Sequence, residues 1–389
     1  MAPVRSGLEV LASRLPGLLR GRRLGLLCHQ ASVTRDLIDA PTAVARLNGV
    51  RLTCLFAPEH GLAGAAQDHA PIASSRARAG PRVWSLYGRR LAPSPSMLRG
   101  VDVVVVDLQD VGARYYTFVW TTALVMRACA VADIPVVVLD RPNPLGGLRI
   151  EGNMPDPRFA SFVGLYPLPA RHGMTIAELA AYLNEEHGIG CDLTVVPMEG
   201  WRRAMGWEDT ELPWIAPSPN MPTPNTARVY PGGCLIEGTN LSEGRGTTRP
   251  FELVGAPFLD GEGLARALER RRLPGVRFRA AGFEPAFHKW SRRLCGGIQL
   301  HVTDAHRFKP FATYLALIAE ARRQAPRHFR WRRPPYEFER RKLPIDLLCG
   351  GDAIRKAVER GVPLGRLEAG WQPGLARFRR ARRPYLLYD

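Results

Sequence analysis

An α/β fold built on a mainly parallel sheet is the fold class that this sequence of 389 residues predicts. Three observations predict it. Short apolar, β-branched runs recur through the first half of the chain, stretches with helical spacing separate them, and polar residues follow the runs directly. Runs that are apolar throughout are typical of parallel strands covered by helices on both faces. The N-terminal half is therefore predicted to be a Rossmann-like doubly wound domain.

The predicted elements alternate along the chain. The strands are the apolar runs Arg23–His29, Val50–Ala57, Val101–Leu108, Ile134–Asp140 and Leu193–Pro197. The helices are the intervening stretches Pro41–Leu47, Trp120–Ala132 and Thr175–His187. The last helix begins with Thr175 and has Glu178 three residues later, which is a capping box.

Polar residues follow four of the predicted strands where each strand ends. They are His29 and Gln30, Glu59 and His60, Gln109 and Asp110, and Asp140, Arg141 and Asn143. In open α/β sheets ligands bind at this edge, so the sequence predicts one crevice that receives side chains from four strands. Each residue also has a structural interpretation, since Asp and Asn often cap helices and a lone His is often hydrogen-bonded within the fold.

Residues 237–249 form the most polar segment, Glu-Gly-Thr-Asn-Leu-Ser-Glu-Gly-Arg-Gly-Thr-Thr-Arg. Its glycines allow close approach of the backbone to a ligand, while Glu237, Asn240, Glu243 and Arg245 offer acceptors and donors to a polyhydroxylated or anionic substrate. We predict an active-site loop here. A polar turn with a helix cap is the structural alternative.

Several common sites are not indicated by the sequence. The first strand leads into Gln-Ala-Ser-Val, without the glycine pattern of a dinucleotide-binding turn, and the chain has no phosphate loop, His-Glu-x-x-His motif or Gly-x-Ser-x-Gly elbow. A metal site at His60, Asp68 and His69 is only weakly indicated by their spacing. We therefore predict no cofactor and no metal. The remaining carboxylates suit acid/base chemistry on a glycosidic bond.

Composition limits the location and partners. The seven cysteines are widely spaced, so no disulfides are expected. No apolar run reaches the length of a bilayer span, and residues 1–23 lack a separate signal core. A cytoplasmic protein is therefore expected. Basic and acidic residues balance over residues 1–265, which places the whole net charge of +18 in residues 266–389. This third lacks a nucleic-acid-binding motif, so we expect no nucleic-acid partner. The oligomeric state stays open.

Six motifs together resemble a known family. They are Phe56-Ala-Pro-Glu-His-Gly61, Asp107-Leu-Gln-Asp-Val-Gly-Ala-Arg-Tyr-Tyr-Thr117, Leu139-Asp-Arg-Pro-Asn-Pro-Leu-Gly-Gly147, Arg171-His-Gly-Met-Thr175, Pro217-Ser-Pro-Asn-Met-Pro222 and residues 237–249. The chain resembles the exo-β-N-acetylmuramidases of the NamZ type over nearly its whole length. It departs from their pattern at Cys28-His29-Gln30, where Thr-Asn-Gln is usual, and at Asn153, where Pro is usual.

The resemblance implies a glycoside hydrolase. Such an enzyme releases N-acetylmuramic acid from the non-reducing end of peptidoglycan fragments, in a cleft between a Rossmann-like domain and a smaller auxiliary domain. We therefore predict a Rossmann-like domain over residues 1–212 and an α+β auxiliary domain over residues 213–389 that closes the cleft. A non-catalytic binder of anionic glycan or nucleic acid, using the basic C-terminal third, is the alternative function.

Site residues follow from the same resemblance. Glu59 is the candidate for the catalytic acid and Glu243 for the second carboxylate, with Glu237 as its competitor. The 2-acetamido group of the substrate is a further candidate nucleophile, which Asp107 or Asp110 would orient.

Further residues are expected to bind the substrate. Arg114 and Arg245 suit the lactyl carboxylate, because a guanidinium binds a carboxylate through two parallel hydrogen bonds. The side chains expected to bind sugar hydroxyls or the acetamide, or to line the site beside these groups, are Gln109, Asn143, Asn220, Asn240, His60 and Tyr115.

Overall fold

The computed structural model describes residues 3–15, 17–67, 74–76 and 80–389. Within them the strands are β1 Arg23–Cys28, β2 Arg51–Ala57, β3 Ser75–Arg76, β4 Arg82–Ser85, β5 Val103–Asp107, β6 Val136–Leu139, β7 Leu193–Val196, β8 Leu253–Ala256, β9 Val276–Phe283 and β10 Cys295–Val302. The helices are α1 Gly7–Arg14, α2 Ala40–Ala45, α3 Pro95–Leu98, α4 Phe118–Val131, α5 Ile176–Glu186, α6 Pro224–Gly233, α7 Gly261–Arg270, α8 Pro310–Gln324, α9 Pro344–Leu348, α10 Ala353–Glu359 and α11 Leu364–Ala381.

The large sheet has the strand order β3-β4-β2-β1-β5-β6-β7. All neighbouring pairs are parallel except β3 and β4, which are antiparallel. The chain starts at the centre with β1, moves outward through β2 and returns across the centre to β5, as in a doubly wound sheet. The predicted α/β fold class is confirmed.

Helices cover both faces of this sheet. Side chains alternate along each strand, so that Leu26 and Val105 pack on the face that carries α1 and α2. Leu27 and Val104, one position away, pack on the face that carries α4 and α5. Burial on both faces explains why the predicted strands are apolar throughout rather than alternating.

The predicted elements of the N-terminal half are all present, with ends that coincide with the predicted ones or differ from them by one or two residues. The capping box is present too: the backbone N–H of Thr175 donates to Glu178 Oε2 at 3.0 Å, and the N–H of Glu178 donates to Thr175 Oγ1 at 3.3 Å. Helix α1 and the strand β4, which lies between β2 and the edge strand β3, were not predicted. Their patterns are short, and a polar or exposed face interrupts each of them.

The C-terminal part is built on a small antiparallel sheet with the order β8-β10-β9. Helix α7 packs on β9 and β10, and α8 packs against α6 and α7. This arrangement agrees with the predicted α+β auxiliary domain. The division at residues 212 and 213 stays a prediction.

The last residues of the chain return to the N-terminal part. The N–H of Leu387 donates to Glu178 Oε1 at 2.8 Å, and Tyr388 donates its hydroxyl to Asp140 while accepting from the N–H of Met198 at 2.9 Å. We call residues 387–389 and these contacts the tail-docking region. The C-terminus thereby holds the two parts of the chain together.

Two further features bear on the predictions from composition. Among the helices of the described residues, none combines the length and apolar character needed to cross a membrane. All seven cysteines are buried free thiols.

Candidate active site

A cleft of about 470 Å³, its solvent-filled mouth included, opens where the carboxyl edge of the large sheet meets the C-terminal part. We call it the carboxylate pocket. It is lined by Glu59, His60, Tyr115, Tyr116, Thr117, Val163, Ser218, Asn220, Met221, Tyr230, Glu237, Arg245, Phe251, Tyr336 and Glu337. Of the predicted site residues, the structure brings together Glu59, His60, Tyr115, Asn220, Glu237 and Arg245 here.

Glu59 reaches the pocket from a tight turn directly after β2. The N–H of Gly61 donates to the carbonyl of Pro58 at 3.1 Å, and His60 has a φ of 70°, in the left-handed region that is unfavourable for a residue with a side chain. The ring nitrogen Nδ1 of His60 lies 2.8 Å from the carbonyl oxygen of Ala66, which holds this conformation. The turn therefore fixes Glu59 at the sheet edge.

The Glu59 carboxyl group is held by the element that follows β5. Thr117, the residue before α4, donates its hydroxyl to Glu59 Oε2 at 2.7 Å. Tyr87 lies nearby and donates to Glu337 Oε2 at 3.3 Å. Burial raises the pKa of Tyr87, and the charges of Glu59 and Glu337 raise it further. Two acidic groups of the pocket thus lie next to one phenol.

Glu237 lies in the 3₁₀ turn Cys234–Gly238 that follows α6. Its Oε1 accepts from Arg245 Nη2 at 2.7 Å and its Oε2 accepts from the Tyr336 hydroxyl at 2.7 Å. Only 4% of its surface is exposed. Both oxygens are therefore fixed in direction, and the Arg245 charge balances the carboxylate.

Glu243 lies in the wall behind Arg245 rather than on the pocket surface. It is completely buried, and its carboxylate is 2.9 Å from Lys289 Nζ, 3.2 Å from His288 Nδ1 and 3.3 Å from Arg245 Nε. Burial alone would raise the pKa of Glu243, but Lys289, His288 and Arg245 together lower it well below its usual range. The predicted catalytic role of Glu243 is not favoured by this position, since a substrate would have to displace Arg245 to reach it.

Aromatic rings form the apolar wall of the pocket. The Tyr230 ring packs against the rings of Tyr115, Tyr116 and Phe251, with centroid separations of 6.5, 5.9 and 4.9 Å. The Arg245 guanidinium lies over the Phe251 ring, 5.1 Å from its centroid. Aromatic faces beside carboxylates and an arginine suit a sugar ring, which has both apolar C–H faces and polar hydroxyls.

Asp107 and Asp110 lie outside the pocket lining. Asp107 is completely buried and forms a two-point ion pair with Arg141, at 2.5 Å from Nε to Oδ1 and 2.8 Å from Nη2 to Oδ2. Asp110 Oδ2 accepts from the N–H of Gly112 at 2.7 Å and lies 3.3 Å from His172 Nε2. These partners give both aspartates a structural role, and neither is placed to orient a substrate acetamide in the pocket.

Arg114 also lies outside the pocket lining. It is fully buried, and its guanidinium donates to the carbonyls of Asn153 at 2.9 Å, Leu168 at 2.7 Å and Leu348 at 2.7 Å. Burial lowers its pKa. Because this arginine joins three separate segments of the fold, it is not available to a substrate carboxylate. Arg245 is the predicted arginine that lines the pocket.

The predicted amides divide in the same way. Asn220 lines the pocket and donates to Gln67 Oε1 at 2.9 Å. Gln109, Asn143 and Asn240 instead donate to backbone carbonyls, those of Asp110 and Pro142, of Met174 and of His328 respectively. These three amides fix loops.

The histidine that follows β1 is structural as well. His29 is buried and its Nε2 accepts from the N–H of Gln109 at 3.0 Å. Burial, with a smaller contribution from the charge of Arg141, lowers the pKa of His29 to about 3. It is therefore neutral at physiological pH.

Nine of the fifteen lining residues were not among the predicted site residues, and four of these, Tyr116, Thr117, Tyr336 and Glu337, carry hydroxyl or carboxyl groups that hold or border the two carboxylates. Tyr116 and Thr117 lie at the end of a motif from which only Tyr115 was selected. Tyr336 and Glu337 lie in a proline-rich stretch within the basic C-terminal third. The sequence signal was an isolated Tyr-Glu pair among arginines, and no periodicity connects it to the sheet edge.

A metal centre is not indicated by the geometry. No group of three or more His, Cys, Asp or Glu side chains in the described part of the chain is arranged to hold a metal ion. Asp68 and His69, which were weakly indicated together with His60, lie outside the described residues.

Comparisons with known proteins show the family of the chain. Family models described as the N-terminal and C-terminal parts of exo-β-N-acetylmuramidase NamZ match residues 24–225 and 228–388. The chain is 44% identical over 386 residues to the peptidoglycan β-N-acetylmuramidase NamZ of Bacillus subtilis strain 168, covering 99% of this chain and 91% of that protein.

Two solved structures share the fold. Both are proteins of the DUF1343 family from Bacteroides fragilis NCTC 9343. One is 33% identical with a TM-score of 0.90 and full coverage of both chains. The other is 28% identical with a TM-score of 0.79, covering 100% of this chain and 99% of that one. The predicted resemblance is confirmed, and the chain belongs to the NamZ family of exo-β-N-acetylmuramidases.

Proposed function

We propose that this protein is an exo-acting glycoside hydrolase that releases N-acetylmuramic acid from the non-reducing end of peptidoglycan-derived fragments, by cleaving its β-1,4 bond to N-acetylglucosamine. The observation that carries the proposal is that Glu59 and Glu237, contributed by the two halves of the chain, line one pocket. A pair of carboxyl groups facing one cavity is what glycosidic bond cleavage requires.

Glu59 is the proposed general acid. It stands at the carboxyl end of β2 and Thr117 fixes one of its oxygens. In the reaction its proton passes to the glycosidic oxygen as the bond to the anomeric carbon breaks, so that N-acetylglucosamine leaves as a neutral alcohol. A water molecule supplies the hydroxyl group that completes the released N-acetylmuramic acid, and its remaining proton restores the protonated acid. The turn at His60 keeps the carboxyl group at the pocket surface without a long flexible loop.

Glu237 is the proposed second carboxylate, in preference to Glu243. Because Arg245 and Tyr336 bind its two oxygens, Glu237 presents a fixed negative charge to the pocket. This charge stabilises the oxocarbenium-like centre that develops at the anomeric carbon. Glu243 is proposed to position Arg245, because its contact with Arg245 Nε sets the direction of the guanidinium that binds Glu237.

Arg245 is the proposed partner of the lactyl carboxylate that distinguishes N-acetylmuramic acid from N-acetylglucosamine. It is the arginine that lines the pocket, 6% of its surface is exposed, and it lies over the Phe251 ring. A partly buried carboxylate needs a cationic hydrogen-bonding partner to offset its loss of hydration.

The test is turnover of a chromogenic β-linked N-acetylmuramic acid glycoside, with the matched N-acetylglucosamine glycoside as the control. We expect hydrolysis of the first and much slower hydrolysis of the second. With the disaccharide N-acetylmuramyl-N-acetylglucosamine, free N-acetylmuramic acid should appear. Lack of turnover of all three, together with salt-sensitive binding of anionic glycan, would favour the alternative of a non-catalytic binder.

A further inference from the structure

A second cleft lies on the other side of α6 from the carboxylate pocket. It measures about 880 Å³, its solvent-filled mouth included. Helix α6 contributes Arg228 to this cleft and Tyr230 to the carboxylate pocket. The walls of this second cleft come from both halves of the chain. Residues within 144–149 and 203–209, with residue 171, form one side, and residue 228 with residues within 305–308 forms the other. We call it the arginine cleft.

Two motifs that the catalytic proposal does not use meet in this cleft. The end of Leu139-Asp-Arg-Pro-Asn-Pro-Leu-Gly-Gly147 forms one wall, and Arg171, the first residue of Arg171-His-Gly-Met-Thr175, projects from another. Arg171 Nη2 donates to the carbonyl of Leu145 at 2.5 Å, which joins the two segments. The cleft is therefore a built feature of the fold.

Positive charge predominates in the cleft. Four arginines line it against two acids, Glu208 and Asp209. Glu208 is already paired with Arg228, and Asp209 Oδ2 accepts from the N–H of Gly206 at 2.8 Å. Arg203 is bound to Glu178 at 2.6 Å, outside the lining. Within the described residues, neither Arg149 nor Arg171 forms an ion pair with one of these two acids, so the lining keeps an excess of positive charge.

Arg171 is the least satisfied of these groups. Only 7% of its surface is exposed, yet within the described residues its guanidinium makes the single hydrogen bond to Leu145, and Nε has no partner. Burial, and then the nearby charges of Arg149 and Arg228, lower its pKa to about 10, against the opposing effect of Glu151. The charge of Glu151 offsets only part of the cost of burying this guanidinium, since the pKa stays below its usual value, and an oxyanion in the cleft would offset the rest.

We propose that the arginine cleft binds the dianionic phosphate group of a small molecule, through the guanidiniums of Arg171 and Arg149. Guanidinium groups bind tetrahedral oxyanions through paired hydrogen bonds, and several of them around one cavity favour a dianion over a monoanion. The inference does not depend on the proposed hydrolysis, since it concerns a different cavity and is measured as binding.

The test is calorimetric titration of the full chain with inorganic phosphate, glucosamine 6-phosphate and glucosamine, with sodium chloride holding the ionic strength constant. We expect saturable binding of at least one phosphate compound and none of glucosamine. Binding of both phosphate compounds would identify free phosphate as a sufficient ligand, and binding of only the ester would identify a phosphorylated sugar. Lack of saturable binding by either would overturn the proposal.

Arginine variants locate the site. Arg149→Met changes an exposed side chain, so the variant should fold normally. Its affinity for the phosphate compound should fall by about tenfold or more, because one charge-assisted hydrogen bond is lost. Arg171→Met should weaken binding further. Arg127→Met, which changes an exposed arginine on α4, is the matched control and should bind as the unmodified protein does. Equal affinity of the Arg149→Met and Arg127→Met variants would overturn the assignment to this cleft.

Discussion

Glu243 and Asp140 are both completely buried acids, but the regions that hold them treat their charge in opposite ways. In the wall of the carboxylate pocket, Lys289, His288 and Arg245 contact Glu243 and outweigh the effect of burial, so that its pKa lies well below the usual range. Two cationic partners, Lys289 and Arg245, together with the His288 ring, keep this carboxylate ionised in the interior.

In the tail-docking region Asp140 has hydrogen-bond donors instead of cations. Its carboxyl group accepts from the N–H groups of Arg141 and Ala177 and from the Tyr388 hydroxyl. Burial raises the pKa of Asp140 to about 7, and the negative charge of Glu178 adds to this rise while the hydrogen bonds oppose it. The comparison shows that the kind of partner, rather than depth, decides whether a buried acid is charged.

The difference has a functional meaning. The charged Glu243 fixes Arg245, and Arg245 fixes Glu237 at the pocket surface, so an ion-pair chain transmits position from the interior to the site. The acid in the tail-docking region holds the chain terminus and has no connection of this kind. We therefore expect acids in the two regions to respond differently to removal of their charge.

The largest expected effect is at the pocket surface. Glu59→Gln should lower turnover of a β-linked N-acetylmuramic acid glycoside by about 10² to 10⁴, because an amide cannot donate the proton that the leaving oxygen needs. Stability should change little, since Gln can still accept from Thr117. Turnover rates and urea unfolding of the same preparations check both parts.

A matched control is Glu262→Gln on α7, a Glu whose side chain is 72% exposed. It should retain full activity. Wild-type turnover by the Glu59→Gln variant on a substrate with a poor leaving group would show that Glu59 is not the acid.

In the wall, Glu243→Gln should act on stability first. It leaves Lys289, whose side chain is 16% exposed, beside an uncharged amide, and the loss should stay below the cost of breaking a fully buried ion pair, about 3 to 5 kcal/mol, because Lys289 keeps its bonds to the carbonyls of Ile236 and Leu241. Urea unfolding should show this loss, with a smaller fall in turnover that follows from misplacement of Arg245. Unchanged stability together with a loss of turnover as large as that of Glu59→Gln would restore the catalytic role first predicted for Glu243.

The predictability of the N-terminal sheet and of the wall differ for a physical reason. Parallel strands can be predicted from local sequence, since burial on both faces requires apolar runs. The capping box is local as well, because Thr175 and Glu178 are three residues apart in the chain. Glu59 could be found because it follows such a run. The small sheet and β4 leave weaker records, because their strands are partly exposed and depend on distant partners.

Within the site, sequence could supply chemical types but could not show which groups were already engaged. Arg114 and Arg245 look alike in their motifs, yet three carbonyls that are 39 to 234 residues away along the chain bind Arg114. Glu237 and Glu243 are six residues apart in one polar segment, and distant partners separate their environments: Tyr336 binds Glu237, whereas His288 and Lys289 contact Glu243. Such distinctions depend on tertiary contacts, which spacing in the chain does not encode.

A smaller effect is expected on substrate preference. Arg245→Met should reduce the ratio of muramic acid to glucosaminide turnover by about 10- to 100-fold, because the lactyl carboxylate loses a charge-assisted pair of hydrogen bonds. Arg245→Lys should lie between, since it keeps the charge but loses the fork. Arg114→Met should destabilise the protein without changing this ratio. An unchanged ratio in both Met variants would assign the carboxylate to other groups.

The last effect concerns the pH dependence of stability in the tail-docking region, and it is spread over about three pH units. An unfolded aspartate ionises near its model value of 3.8, whereas Asp140 in the folded protein keeps its proton up to about pH 7. Unfolding between these values therefore releases a proton, and the contribution of Asp140 to the free energy of unfolding falls by about 1.4 kcal/mol per pH unit as pH rises from about 4 to about 7. Burial also raises the pKa of Glu151 to about 7, so Glu151 lowers stability with rising pH in the same way, and the effect of Asp140 is measured as a difference between variants.

Asp140→Asn should remove the part of the pH slope that comes from one proton, so its stability relative to the unmodified protein should increase as pH rises. Asp133→Asn, at an exposed position, is the control and should keep the slope of the unmodified protein. Urea unfolding at several pH values between 4.5 and 8 measures the slopes. Parallel plots of unfolding free energy against pH for Asp140→Asn and the unmodified protein would show that Asp140 is ionised in the fold. Hydrogen bonds alone would then suffice to keep a buried carboxylate charged.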